Sequence, residues 1–438
     1  MEKVDVAVVG GGPAGANAAM EAATSKDVVV YEAGVDREDR EERGPDSTDA
    51  AGLLDYWLDI MDVGPEEYDE VPVLQEIDYA DFRSPEASFE LRDTGIDSWY
   101  DGFGVTFDRV AYDDQHRERA VERGVDYRIE KVQDVEVDPA SHVVKSTESE
   151  VEADYLVLAD GPGRRVSLDV LDELCVDDSV RRHLGPSNAN HVAHQEHRRF
   201  PDEVFEDDVL RFWWGYVPGE TAYPWYFPND DGVVRLGVTL PMGLRAADVD
   251  EPGSYALVDG SDEGLPSAST YIERLLEHEY PGYDVEDFPL VKDRGKQGGR
   301  ESYPISSTSP VDSPVGAGVV AVGGAMGATS AFHEGGYHLA VATGKLAGEL
   351  VADDSLDIYN ERWRHELGDE IARNVGLAHL VEDYGPTDWD GLLRVARASV
   401  DGGWLSRLRV AHRLYFLRRR YLGGRSSFVG VEESDYRL

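Results

Sequence analysis

Apolar residues at the start of the chain come in short runs. Val4 to Val9 is a run of strand length, and Val28 to Val30 is a second buried run. Between them Ala18, Ala19 and Ala22 continue as a helix out of a glycine-rich turn carrying Gly10, Gly12 and Gly15 in the order GxGxxG. The second run ends in Glu32, 17 residues after Gly15. The three glycines serve different ends. The first permits the tight turn, the second lets backbone approach a pyrophosphate, and the third lets helix pack on strand. The helix N terminus offers unpaired N–H groups and a positive dipole end to that pyrophosphate. A carboxylate at Glu32 can reach a ribose hydroxyl. The pattern predicts a dinucleotide-binding βαβ unit.

Farther along, Leu53, Leu54, Trp57, Leu58 and Met61 predict a helix over Ala51 to Asp62. Val71 to Arg92 reads as short alternating strands. A helix is expected over Phe107 to Gly124, opened by Asp108 and closed by Gly124. Tyr127 to Val137 and His142 to Lys145 read as strands of a meander, and Tyr155 to Ala159 as a buried strand ending in Asp160-Gly161. Val209 to Leu240 is rich in aromatics and predicts antiparallel strands joined by Pro-Gly and Asn-Asp-Asp-Gly turns. Val319 to Gly323 is another buried strand, followed by glycine-rich turns and a helix over Tyr337 to Asp353. From Leu356 the chain reads as largely helical. No internal repeat and no second GxGxxG is present.

Charge changes the picture of the surface. The chain has 438 residues, with 88 acids against 42 bases and a net charge of −46. Self-repulsion of that size is tolerated where salt screens it within a few Å, so a halophilic surface is expected. Nucleic acid is disfavoured as a partner because its phosphates would be repelled. The charge-dense stretch Asp36 to Asp49 reads as an exposed loop. Cys175 is the sole cysteine, which excludes an internal disulfide, a CxxC pair and a cysteine-based metal site. His191, His194 and His197 suit neither one strand face nor one helix face, and no metal is expected. The first strand begins at the N terminus and no apolar run is long enough to span a bilayer, so a cytoplasmic protein is expected.

Three glycine-bearing turns carry the candidate chemistry: Gly10 to Gly15, Asp160 to Arg164, and the segment Gly318 to Leu350. Their order resembles the FAD-dependent oxidoreductases of the p-hydroxybenzoate-hydroxylase-like fold, and within them the geranylgeranyl reductase family. The resemblance implies an α/β fold: a discontinuous Rossmann-like FAD-binding domain (1–50, 100–170 and 300–352), an antiparallel-sheet substrate domain (51–99 and 171–299), and a helical C-terminal region (353–438). By the same resemblance, Gly10, Gly12, Pro13, Ala14, Gly15 and Glu32 match the ADP-binding unit. Arg109 opens the helix whose arginine approaches the pyrophosphate, and Asp160 and Gly161 match a segment beside the nucleotide. Gly323, Gly324 and Gly327 match the second FAD segment. Tyr223, Trp225 and Phe227 match an element lining an isoprenoid cavity, and strand alternation puts these three on one face.

Two departures stand out. The second FAD segment normally carries an Asp where this chain has Gly324, and a cysteine-bearing element found early in the family is absent. His333 and Glu334 sit where the chain should pass the flavin ring, as a proton donor and its orienter or as a solvent-facing turn. Gly335 and Gly336 would permit backbone to approach the flavin closely. The implied activity is hydride transfer from FAD to carbon–carbon double bonds of an isoprenoid lipid or precursor. The electron donor is open between NAD(P)H and a ferredoxin-like carrier. A flavin monooxygenase and a flavoprotein without redox activity stay open as alternatives. Trp404 to Arg425 holds seven Arg and no acid, with Trp404, Leu408, Ala411, Tyr415 and Leu422 on one helical face. That pattern suits either peripheral membrane contact or docking on the chain's own acidic body. The oligomeric state is not legible.

Overall fold

The computed structural model describes residues 1–34, 52–138, 140–177, 179–185, 190–295, 298–306, 309–400, 418–419, 421–423 and 428–437. The acidic stretch Asp36 to Asp49 and nearly all of Trp404 to Arg425 lie outside these residues.

The opening unit forms as its pattern requires: β1 (Glu2–Val9), α1 (Pro13–Ala22) and β2 (Val28–Tyr31). All four residues of β2 are buried, as in a parallel strand covered on both faces. Next come β3 (Gly52–Leu54), α2 (Asp55–Ile60), α3 (Pro65–Tyr68), β4 (Val73–Ile77), β5 (Tyr79–Ser84), β6 (Ala87–Leu91) and β7 (Gly104–Phe107). The helix expected from Ala51 therefore begins only at Asp55. Adjacent Leu53 and Leu54 fit either period, and β7 captures them as a strand. Gly104 makes that pairing possible, because a Cβ there would lie 2.4 Å from the Leu53 carbonyl oxygen.

α4 (Arg109–Glu122) is capped by Asp108, whose carboxylate accepts from the Ala111 N–H at 3.1 Å. Gly124 follows it at φ +92°. Then come β8 (Asp126–Arg128), β9 (Val132–Glu136), β10 (His142–Ser146) and β11 (Glu150–Leu158). The expected strand over Tyr127 to Val137 is in fact two. β8 pairs parallel with β2, whereas β9, β10 and β11 form the antiparallel meander. No glycine or proline marks the break. At the break the Glu130 carboxylate accepts from the Ser149 hydroxyl at 2.6 Å.

After α5 (Ser167–Leu174) and α6 (Ser179–Leu184) the chain builds β12 (Asn190–Arg199), β13 (Val209–Trp213), β14 (Tyr223–Pro228) and β15 (Val233–Pro241). α7 (Ala268–Glu279), β16 (Arg300–Ser306), β17 (Val319–Ala321) and α8 (Tyr337–Ala352) follow. The chain continues with α9 (Tyr359–Glu366), α10 (Gly368–Val381) and α11 (Pro386–Val400).

The first sheet has the order β8-β2-β1-β11-β10-β9. β11 is long enough to use one edge twice: its first half pairs with β10, and Leu156 to Leu158 pair in parallel with β17. The second sheet runs β16-β12-β15-β14-β13-β5-β6, antiparallel except for the β13–β5 pair. β3, β7 and β4 form a small third sheet. β16 belongs to the second sheet, so the chain returns to the nucleotide sheet after Ser306, later than the expected boundary at 300.

Parallel pairing explains how distant turns meet. β1, β11 and β17 are parallel neighbours, so the turns after their C-terminal ends, at Gly10, Asp160 and Gly323, open on one edge. α8 crosses α1 at backbone distance. A Cβ at Gly344 would lie 2.2 Å from the Ala14 carbonyl oxygen, and one at Gly348 would lie 2.3 Å from that of Ala18.

Candidate active site

The three turns edge a cavity of about 770 Å³ that continues over the second sheet. At the nucleotide end, Gly10 is held at φ +100°, where a Cβ would lie 2.4 Å from the Ala159 carbonyl oxygen. At Gly15 a Cβ would lie 1.9 Å from the Gly10 oxygen, so both glycines are obligatory for packing. Gly12 is different: nothing lies within 4 Å of its would-be Cβ. The space there opens onto the N terminus of α1, where Pro13 and Ala14 begin the helix.

Glu32 lines the same end. Its carboxylate accepts from the Gly11 and Gly34 N–H groups, both at 2.7 Å. A carboxylate has about four lone-pair sites, so acceptor capacity remains for a ligand hydroxyl. Tyr127 donates to the Gly11 carbonyl at 2.7 Å and explains why residue 11 is also glycine: a Cβ would collide with the phenol. Arg109, from the first turn of α4, lies on the wall beside Asp113 (3.4 Å) and over the Tyr337 ring. Open space at a helix N terminus, a carboxylate at the end of β2 and an arginine across from them fit the diphosphate and ribose of an ADP-bearing cofactor.

Asp160 and Gly161 reach the cavity, but the Asp160 carboxylate is turned away from it. It accepts from Val166 N–H at 2.7 Å and Ser167 N–H at 3.2 Å, which satisfies the start of α5. Gly324 packs against this turn. A Cβ on residue 324 would lie 2.8 Å from the Pro162 nitrogen and 3.0 Å from the Gly161 carbonyl carbon. The place from which an Asp side chain would emanate is thus occupied by backbone. Gly323 (φ +55°) and Gly327 (φ +85°) shape the turn itself.

The remaining half of the cavity is apolar. Tyr223, Trp225 and Phe227 all line it, as their alternation on β14 requires, while Tyr226 points to the opposite face and bonds to Glu206. Trp214 stacks on Phe332 at 5.0 Å. Phe82, Phe212 and Tyr303 complete the wall from neighbouring strands.

His333, Gly335 and Gly336 border the junction of the two halves. Neither reading of this turn holds for Glu334: it is buried rather than solvent-facing, and its carboxylate is not bonded to His333. Glu334 (φ +60°) directs its carboxylate the other way, accepting from Thr239 and lying 3.4 Å from the Thr221 hydroxyl and 3.5 Å from His191 Nδ1. Burial raises its pKa. Alternation along a turn cannot reveal such a reversal, because the left-handed backbone at 334 flips the side chain. His333 instead packs on Trp57, with ring centroids 4.8 Å apart, and Trp57 stacks on His338 at 4.2 Å. Nδ1 of His333 accepts from the Gly335 N–H at 3.3 Å, which assigns its proton to Nε2. Burial, with His338 and Arg373 nearby, lowers the His333 pKa to about 3. A histidine that is neutral at working pH is an N–H donor and not an imidazolium acid.

Trp57 and His338 were not singled out by the pattern. Trp57 falls on the apolar stripe of α2 and reads as core. His338 sits in the first turn of a helix, and no local signal marks the stack. Among the described residues no group of His, Cys, Asp or Glu is arranged to hold a metal, and no helix is long and apolar enough to cross a membrane.

The chain is similar to a digeranylgeranylglycerophospholipid reductase of Methanothrix thermoacetophila, 24% identical over 429 residues that cover 90% of this chain and 95% of that one. A protein of the same description from Methanopyrus kandleri is 27% identical over 389 residues, 83% of each chain. For another, from Methanothermobacter thermautotrophicus, the match is 23% over 198 residues and spans 43% of each chain. No protein-family model matches. A solved geranylgeranyl bacteriochlorophyll reductase-like protein of Thermoplasma acidophilum superposes with TM-score 0.71 at 18% identity, covering 97% of this chain and 99% of that one. A flavin-dependent brominase superposes with TM-score 0.58 at 16% identity, covering 96% and 94%.

Proposed function

From the premise that this chain is an FAD-dependent oxidoreductase related to the geranylgeranyl reductases, we propose that it reduces carbon–carbon double bonds of an isoprenoid chain on a lipid or lipid precursor. The observation that carries the reading is continuity: one cavity runs from the glycine turn at the N terminus of α1 to the aromatic chamber of the second sheet.

In this reading the α1 N terminus and Arg109 hold the FAD diphosphate, and Glu32 takes the ribose hydroxyl. Gly161, Gly324, Gly335 and Gly336 bring backbone to the ring. When bound, reduced FAD would supply a hydride to one carbon of the double bond, and a proton from solvent would complete the other.

The chain's own side chains do the rest. Tyr223, Trp225 and Phe227 exclude water and align an apolar chain along β14, where four residues span about 13 Å. Tyr223 donates to the His333 carbonyl oxygen at 2.5 Å, which ties the chamber wall to the turn at the ring. His333 holds a proton on Nε2 at that junction. As a neutral donor it orients a polar group and does not protonate carbon from an imidazolium. The electron donor is a diffusing nicotinamide nucleotide or a ferredoxin-like carrier.

The test is purification in multimolar KCl, a visible spectrum, anaerobic reduction with dithionite and addition of an unsaturated geranylgeranyl glycerolipid. Reoxidation of the flavin with gain of two hydrogens per bond in the lipid supports the reading. Reduced protein that ignores the lipid but hydroxylates an aromatic substrate in air refutes it.

A further inference from the structure

Trp225 stands directly across from Gly237 on β15. A Cβ at residue 237 would lie 2.1 Å from Cζ2 and 2.3 Å from Cε2 of the indole. The ring therefore lies flat over the glycine Cα, 4% exposed, with its outer face forming cavity wall. It has little room to slide. Tyr223 and Phe227 flank it with ring centroids at 6.1 Å on either side. The next residue in the row, Gln195 on β12, is fully buried and donates to Glu301 at 3.0 Å. Carbon atoms in contact sit ~3.5–4.0 Å apart. Any side chain at 237 thus lifts the indole off the sheet and into the cavity by ~1.5–2 Å.

We propose that Gly237 determines chain-length specificity: it keeps the chamber open past Trp225 so that a long isoprenoid chain can lie along β14. The inference rests on the function proposed above. Strand spacing puts Trp225 ~7 Å beyond Tyr223, and Tyr223 is tied to the His333 turn, the reacting end in that reading. A short chain reaches the indole only with its tip, whereas a long one must pass over it. Gly237 touches neither substrate nor cofactor; it acts through the position of Trp225.

The test compares wild type, Gly237→Ala and the double variant Gly237→Ala/Trp225→Leu on glycerol ethers bearing geranyl, farnesyl or geranylgeranyl chains. Flavin content and Tm are measured alongside. Gly237→Ala is expected to keep its flavin and its turnover of the geranyl ether, and to lose about tenfold or more in kcat/KM on the geranylgeranyl ether, mainly in KM. The double variant is expected to regain the long chain. Equal loss on all three chains, or no rescue, overturns the inference. If Gly237→Ala does not fold, Trp225→Leu alone decides: it should raise long-chain over short-chain turnover, and an unchanged ratio overturns the inference. If the wild type reduces none of the ethers, the proposed function fails. Perturbation of the flavin spectrum by the same ethers then reads Gly237 separately, and weakening confined to the long chain supports it. Uniform weakening sinks it.

Discussion

Replacing Gly324 tests whether the Gly161–Pro162 turn leaves room for any side chain at that position. The atoms nearest the would-be Cβ belong to the turn at Gly161–Pro162, at 2.8 to 3.0 Å, and are backbone and a proline ring. That turn is pinned, because the Asp160 carboxylate caps α5 through Val166 and Ser167. Overpacking of this kind costs ~1–3 kcal/mol, and losing the cap as the turn swings costs ~1 kcal/mol more. Gly324→Ala isolates the steric part. It should lower Tm, through an overpacking cost of ~1–3 kcal/mol carried with or without flavin, and weaken flavin binding as the turn is displaced. Gly324→Asp adds an acid whose hydrogen bond to a ligand is worth ~1 kcal/mol net, or ~1.5–3 if charge-assisted. The collision offsets that gain, so the Asp variant should bind flavin no more tightly than wild type. The assay is a flavin fluorescence titration with thermal unfolding in the same multimolar KCl. An Asp variant with tenfold tighter flavin and unchanged Tm would show that the turn yields, and the reasoning would fail.

Gly12→Val should fold with the Tm of flavin-free wild type, since its side chain enters open space, and should purify colourless; a yellow preparation would contradict the nucleotide role of that space. Trp225→Ala should stay yellow while turnover falls, more on short chains than on long ones, at a stability cost of up to ~3–5 kcal/mol; loss of colour would move Trp225 to the cofactor. His333→Gln should leave the shape of the pH–rate profile between pH 6 and 9 unchanged, because the wild-type ring is already neutral there; disappearance of a limb in that window would show that His333 titrates. Burial pushes Glu196 up, but hydrogen bonds from His194, Arg300 and Arg198 outweigh it and hold the carboxyl at about 2, below its ordinary 4.5. A depressed carboxyl stabilises the fold above pH 4.5 and loses that contribution as pH falls through 2, an amount of about 3 kcal/mol. Glu196→Gln should therefore lower stability at pH 7 and flatten acid unfolding between pH 4.5 and 2; chemical denaturation across that range measures it, and a variant as stable as wild type at pH 7 would refute the assignment.

The nucleotide end is legible in the sequence because its requirements are local. Gly10 needs a positive φ, Gly15 needs a bare Cα against a carbonyl, and Val6 to Val9 need burial on both faces; each leaves a mark within a few residues. The convergence of three distant turns is legible once β1, β11 and β17 are taken as parallel neighbours. The aromatic wall is half legible. Tyr223, Trp225 and Phe227 share a face by alternation, but Phe82, Phe212 and Tyr303 join them only through strand neighbours far away in the chain. Glu334 shows the opposite case. Its type and position suggested an orienter for His333, and a single left-handed residue sent its carboxylate to Thr239 instead. At Gly324 the sequence shows only that an Asp is missing; that the Gly161–Pro162 turn lies 2.8 to 3.0 Å from any Cβ there depends on a turn more than 160 positions away.

The crossing of α8 on α1 has a bearing on biogenesis. Ala14 and Ala18 face Gly344 and Gly348 at backbone contact, although more than three hundred positions separate them along the polypeptide. The N-terminal βαβ unit leaves the ribosome first but lacks its covering helix until translation has passed residue 348. Truncation between α1 and α8 would therefore yield a polypeptide whose glycine motif is intact but whose first helix lacks the α8 surface it packs against.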